Sequence, residues 1–308
     1  MSIDILEQNI WDVSPDLLKI ILQDKTTGQN IKWATDNYTS YGEEYCASAE
    51  ITPELITGRN TFVVQPRVSK ALIEQSKRTR DKAEVFTPSW VCNEQNNLVD
   101  AAWFGYDDVF NTSNGQTWVV NHNPVVFPEG KTWEDYVDAR RMEVSCGEAP
   151  YLTSRYDTVS GQPIAIENRI GLLDRKLRIV NENTSTADEW FKWALRAFQS
   201  TYAYEFQGDN LLLARENLLY TFLEYYYLKF KKKATLSQTK KIANVIAWNI
   251  WQMDAFTCLP PYAAEASSFE QLTLFDNPEK EEAAPCRIFD WRSKRSLVFR
   301  SMLKGGTT

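Results

Sequence analysis

Three stretches of this sequence end an apolar run on residues able to grip a polar ligand: MEVSCGEAPYL (142–152), YEFQGD (204–209) and NIWQMD (249–254). In the first, a short buried strand gives way to Cys146, Gly147 and Glu148. A glycine there lets backbone pass close to a ligand, and a helix start beyond it would point free N–H groups at a carboxylate. A tight turn is the plain alternative. In the second, Glu205 falls at the end of a strand, where a carboxylate accepts both hydroxyls of a ribose. Asp209 reads as the cap of the next helix, and a surface carboxylate beside that cap is the alternative for Glu205. In the third, Met253 is placed to lie on an adenine face and Asp254 to accept from its amine; alternatively Trp251 and Met253 are core and Asp254 is a cap. Metal chemistry is not expected. His122 is the single histidine, and Cys46, Cys92, Cys146, Cys258 and Cys286 lie far apart with no CxxC pair.

Such strand ends work together only if parallel strands hold them side by side, and the pattern from Lys77 onward supplies helices and short apolar strands in alternation. Thr87 reads as an N-cap with Pro88 at the first helical position. TWEDYVDARR reads as a helix and MEVSC as the strand after it. Thr186 and Glu189 have capping-box spacing before ADEWFKWALRAFQ. YAYEF is a strand, followed by a long helix with Leu211, Leu212, Leu218, Leu219, Phe222, Leu223 and Tyr226 on one face. LSQTKKIANVIAW is another helix and NIWQM another strand; CRIFDW and SLVFRSML close the chain as strands. Residues 264–285 are acidic and read as an exposed loop. Residues 1–75, with a helix from Ser14 to Leu22 and extended runs such as NTFVVQPRV, read as an N-terminal appendage; 76–256 form the core unit and 257–308 the acidic loop and terminal strands.

The chain has 308 residues, 43% of them apolar, enough for a large core. No apolar run is long enough to span a membrane, and the N-terminus lacks the basic and small-residue signature of a secretory signal, so a soluble, reducing, cytoplasmic setting is expected. A net charge of −7 argues against a free-standing nucleic-acid binder. Basic runs at 77–82, 174–178, 229–233 and 291–295 permit DNA contact, although solvated helix ends and turns are the commoner explanation of such runs.

Taken in order, AEVFTPSWVCNEQNNLVD, MEVSCGEAPYL, YEFQGDNLLLARENLLYTF and IAWNIWQMDAF resemble the adenine-N6 DNA methyltransferases of restriction–modification systems, the class of type I modification subunits and fused restriction–methylation enzymes. The resemblance covers residues 77–256. It implies an α/β fold: a Rossmann-like S-adenosylmethionine-dependent methyltransferase sheet with helices on both faces, incomplete at its C-terminal side. In that family a Phe-x-Thr-Pro element helps close the cofactor pocket, and Phe86, Thr87 and Pro88 match it. A Cys-Gly-x-Gly loop lies against the methionine moiety; Cys146 and Gly147 match, with Ala149 and Pro150 standing where the second glycine belongs. Glu205 with Ala214–Leu219 (ARENLL), and Asn249, Ile250 and Asp254, match the elements that follow. The implied cofactor is S-adenosylmethionine.

The family's catalytic element, Asn-Pro-Pro-Tyr, holds the flipped target base. LPPY (Leu259–Tyr262) does not match it, because Leu259 offers no side-chain acceptor and the motif begins only five residues after Asp254. No catalytic residue is therefore assigned. The first reading is the cofactor-binding part of a DNA methylation enzyme, needing a second protein chain for the catalytic and target-recognition parts and binding DNA weakly alone. A second is a catalytically silent interaction module of a restriction or phage-defence complex. A third is an intact enzyme of unusual order, for which Asp157 and Asp290 are the only acids to nominate.

Overall fold

The computed structural model describes residues 6–70, 87–263 and 284–303; Phe86, the basic run at 77–82 and most of the acidic stretch lie outside them. Helices α1 (Glu7–Val13), α2 (Pro15–Leu22) and α3 (Pro53–Ile56) come first, then α4 (Ser89–Phe104). A hairpin β1 (Asn111–Asn114) and β2 (Thr117–Val120) and helix α5 (Trp133–Asp138) lead to β3 (Arg141–Val144). Helices α6 (Leu172–Asn183) and α7 (Ala187–Gln199) precede β4 (Thr201–Glu205), and α8 (Gly208–Phe230) and α9 (Leu236–Asn249) precede β5 (Ile250–Gln252). The hairpin β6 (Arg287–Asp290) and β7 (Arg295–Val298) and a short α10 (Phe299–Leu303) follow.

The chain is α/β. Strands β3, β4 and β5 form a parallel sheet in that order, with Glu143 level with Ala203 and Glu205 level with Gln252. β4 is central and buried on both faces. Its Ala203 joins the main core with α7, α8 and α9, while Tyr202 and Tyr204 join a smaller core with Trp251, Met253, Ile288 and Phe299. Helices were expected on both faces. Among the described residues the second face instead carries the antiparallel β6–β7 hairpin and α10, because CRIFDW and the first half of SLVFRSML pair with each other.

Local chemistry accounts for the boundaries. Thr186 accepts the Glu189 N–H at the start of α7, and Thr235 and Gln238 form a full capping box at α9. Four expectations shift. Pro88, not Thr87, stands at the N-cap of α4, and the helix is capped from outside by Asp157, whose Oδ2 accepts the Ser89 N–H at 2.7 Å. Asp209 lies inside the first turn of α8 rather than capping it, because Gln207 holds the N-cap. β3 was expected to be buried, yet among the described residues it pairs on one side only and leaves Met142 and Val144 46% and 56% exposed. The basic run at 174–178 is no solvated helix end either. Asp174, Arg175 and Lys176 are buried, and Lys176 Nζ donates to Ala139 O and Ser200 Oγ, both at 2.6 Å.

The N-terminal segment shares the main core: Leu18, Ile21, Trp33 and Ile51 pack in one cluster with Leu211, Phe222 and Ile246. Residues 31–33 run as a strap across the end of the sheet. Gln252 Oε1 accepts the Lys32 N–H and Gln252 Nε2 donates to Lys32 O, each at 2.8 Å, and Gly208 N–H donates to Trp33 O at 2.9 Å. A Cβ on Gly208 would stand 1.9 Å from Lys32 O, so only glycine lets the strap close on α8. Arg215, fully buried, then nails the strap's helix in place by donating to Ile21 O, Gln23 O and Ile250 O.

Two tests follow from this packing. Gly208→Ala forces backbone atoms apart, so chemical denaturation is expected to show a loss of about 2–3 kcal/mol and proteolysis to reach the strap earlier; unchanged stability would refute the close contact. Glu7 and Glu216 are fully buried with no hydrogen-bond partner on any carboxylate oxygen. Burial pushes Glu7 from 4.5 up to about 8 and holds Glu216 well above the carboxylate range, with Glu7 adding to the shift. Carboxyls raised in the fold contribute stability that is full below their unfolded value and is lost as pH rises through the folded one. Denaturation midpoints are therefore expected to fall between about pH 5 and about pH 8, and Glu7→Gln to flatten that fall.

Candidate functional site at the carboxyl ends of the parallel strands

The loops after β3, β4 and β5 converge at one end of the sheet, the place where ligands collect in open parallel sheets. Glu205 closes β4 and is 7% exposed. Its Oε2 accepts the Gly147 N–H at 2.8 Å, and its Oε1 accepts the N–H groups of Phe206 at 2.9 Å and Gln207 at 3.1 Å. Burial pushes its carboxyl up, and the three N–H groups pull against that shift. The β3 loop bends to reach it: Ser145, Gly147 and Ala149 all adopt positive φ, at 50°, 53° and 62°.

Two further carboxylates stand beside it. Glu148, next in the loop, accepts the Arg67 N–H at 2.7 Å and the Tyr156 hydroxyl, while Asn217 of α8 donates to its carbonyl. Asp209, fully buried, accepts the Tyr38 hydroxyl at 2.7 Å and the Lys70 ammonium at 3.0 Å. Gly147, Glu148, Glu205 and Asp209 are thus brought together, roofed by residues from 32–38 and 67–70 that sequence reasoning left without chemistry. Residues 32–38 fall in the run QDKTTGQNIKWATDNY (23–38), and neither it nor the extended run NTFVVQPRV announces partners 81–220 positions away.

The other nominated residues are placed apart from this cluster or turned from it. Cys146 is buried, and burial raises its thiol. Met253 is buried in the smaller core, its sulfur accepting the Trp251 indole N–H at 3.3 Å. Asp254 Oδ1 accepts the N–H groups of Phe256 at 2.7 Å and Thr257 at 3.3 Å, which pins a loop turn. Thr87 lies at the foot of α4, its carbonyl accepting from the Thr158 hydroxyl at 3.1 Å; Pro88 follows it at the cap. LPPY is a loop beyond β5, held by Lys32 Nζ on Pro261 O at 3.4 Å, with the Tyr262 ring 6.3 Å from Phe206. The two acids nominated for an enzyme of unusual order are also engaged: Asp157 caps α4, and Asp290 pairs with Arg140 at 3.1 Å. Among the described residues no group of three His, Cys, Asp or Glu side chains is placed to hold a metal ion, and no helix is long and apolar enough to cross a membrane.

No family model, no curated protein and no solved structure matches this chain. The site is therefore read from its own chemistry, which is anionic and rich in backbone donors already directed at Glu205.

Replacing that carboxylate by an isosteric amide leaves at least one of the three N–H groups facing another donor. Glu205→Gln is expected to cost about 2 kcal/mol of stability and to speed amide hydrogen exchange at Gly147 and Gln207; exchange rates equal to the parent chain would show that the carboxylate does not hold this loop.

Proposed function

We propose that this chain is the S-adenosylmethionine-binding part of a restriction–modification DNA adenine-N6 methyltransferase, acting in the cytoplasm with a second protein chain that supplies the catalytic and target-recognition parts. The observation that carries this reading is Glu205, a carboxylate at the end of the central parallel strand, tied to the Gly147 loop of the neighbouring strand. That is where a ribose is gripped in Rossmann-like sheets.

The charge at the site supports this cofactor over a phosphate-bearing one. Glu148, Glu205 and Asp209 belong to the loops and helix start at one strand end, and of the lysines described there Lys70 is held by Asp209 and Lys32 reaches Pro261 O. Such an arrangement of carboxylates favours a ligand carrying a sulfonium and an ammonium and repels a pyrophosphate. S-adenosylmethionine supplies the transferable methyl group when bound. Of the chain's own residues, Glu205 would hold the ribose, and Gly147 and Glu148 would face the methionine end.

The fit asks for a local change. A carboxylate offers about four lone-pair sites, and three N–H groups already use Glu205. One ribose hydroxyl finds the remaining site, and a second requires the Gly147 N–H to turn away. The positive φ of Ser145 and Ala149 makes this loop the element with strain to release.

A second reading, a catalytically silent interaction module of a restriction or phage-defence complex, is favoured by the internal partners of Glu205, Asp209 and Asp254. Calorimetric titration of the full chain with S-adenosylmethionine separates the two. Saturable binding, weakened by about 1–3 kcal/mol in Glu205→Ala, supports the cofactor site. Absent binding, or binding indifferent to Glu205, removes it in favour of the silent module.

A further inference from the structure

β3 lies at an edge of the parallel sheet, and no described strand pairs with its outer side. The Arg141 N–H donates to Ser200 O at 2.9 Å, with Arg141 level with Thr201 and Glu143 level with Ala203. Alternate residues of a parallel strand turn their backbone groups to the same neighbour. Arg141 and Glu143 therefore serve β4, while Met142 and Val144 turn N–H and C=O outward. Natural edges are guarded by lysine, proline, bulges or a covering element, and parallel sheets are normally covered. This one instead carries two apolar side chains, about half exposed.

Two further features say what belongs there. A cavity of about 180 Å³ opens beside Met142, walled by Tyr202, Trp251, Leu297, Phe299 and Met302, and is of a size for apolar side chains. At the start of β3 the arginines are unequally served. Arg140 is paired with Asp290, and Arg196 and Arg292 share Asp138. Among the described residues Arg141 has no carboxylate: its guanidinium lies over the Tyr136 ring at 5.8 Å, its Nε and Nη2 are buried without a hydrogen-bond partner, and its Nη1 reaches only the Arg140 carbonyl at 3.3 Å. A buried guanidinium left in that state is costly and calls for an anion.

We propose that the open edge of β3 receives a β-strand from a second polypeptide, with an apolar side chain entering the cavity beside Met142 and a carboxylate pairing with Arg141. Outward N–H and C=O groups are satisfied by extended backbone and not by a helix, which fixes the occupant as a strand. The arginine without a carboxylate fixes its charge as acidic. Only the identity of the chain that brings the strand rests on the methyltransferase reading; the docking does not.

The test selects a phage-displayed random 12-residue library on the full chain and synthesises the recovered peptide. The expected peptide alternates apolar residues, carries Asp or Glu, and protects the Met142 and Val144 amides from hydrogen exchange. Val144→Pro deletes an outward N–H that β4 does not use, and Met142→Lys places a charge on an already exposed side chain; each is expected to weaken the peptide at least tenfold. Arg141→Met is expected to abolish the preference for the acidic residue. Recovery of no peptide sensitive to these variants, or protection at other amides, overturns the proposal. Sedimentation showing that the chain alone dimerises through this edge, lost in Met142→Lys, replaces the acidic partner by a second copy and overturns it as stated. Titration of the parent chain with S-adenosylmethionine keeps the two readings apart: cofactor binding with no docking peptide removes the edge proposal alone, and peptide docking without cofactor binding removes the cofactor alone.

Discussion

The Glu205 carboxylate accepts backbone N–H groups from two separate loops, and the geometry of the whole strand-end region follows from it. One oxygen holds Gly147 in the loop after β3, and the other holds Phe206 and Gln207 in the turn into α8. A carboxylate removed from water at such a place would favour its neutral form. Three N–H donors, and the start of the 23-residue helix α8 just beyond, supply compensating positive potential. In return the carboxylate holds a loop whose Ser145 and Ala149 sit in the left-handed region, where side-chain-bearing residues are uncommon. The β3 loop, the β4 turn and the first turn of α8 thereby behave as one unit, and the strap at 31–33 closes on that unit through Gly208 and Gln252.

The scaffold behind this unit is unusually polar for a core. Arg175 reaches Asp100 at 2.5 Å and the side-chain oxygens of Asn93 and Asn97 at 2.9 and 2.8 Å, and Tyr136 donates to the other Asp100 oxygen at 2.8 Å. That network locks α4, α5 and α6 together. Arg215 does the same for α2, α8 and β5 by donating to carbonyls that helix ends leave open. Burial lowers Arg215 to about 10, so it stays charged at neutral pH. Such groups specify a unique arrangement more than they add stability, since each would be expensive to leave unpaired in any other packing. A loop under strain needs a scaffold that does not adjust to relieve it.

Part of this was legible in the sequence because it is local. The capping residues Thr186 and Thr235 act within three positions of themselves, and the apolar run of β4 is what a strand buried on both faces requires. The errors fall where distant partners decide. Asp209 has the residue type of a cap, yet Tyr38 and Lys70, more than 130 positions earlier, claim its carboxylate. Met253, read either as an adenine platform or as core, is in the smaller core with Trp251 and Phe299. β3 has the composition of a buried strand, and nothing in RMEV announces that only one side will be paired. The basic run at 174–178 reads as a solvated helix end because the acceptors that bury it, Ser200 and Asp100, belong to other elements.

The engaged state of the acids also bears on how this chain could take part in methyl transfer. Asp157 spends its oxygens on α4 and its own loop, Asp290 on Arg140, and Asp254 on the turn before LPPY. Leu259 brings no acceptor, and its backbone carbonyl is already bonded to the Asp254 N–H at 2.9 Å. Each group able to orient a target amine is thus already engaged, and freeing any of them would break the contact it supports. Glu205 differs, because its bonds fall on a strained loop and one lone-pair site remains. On the proposed function this divides the labour physically: holding the cofactor falls to Glu205 and its loop, and the acceptor that orients the target base has to arrive on another strand.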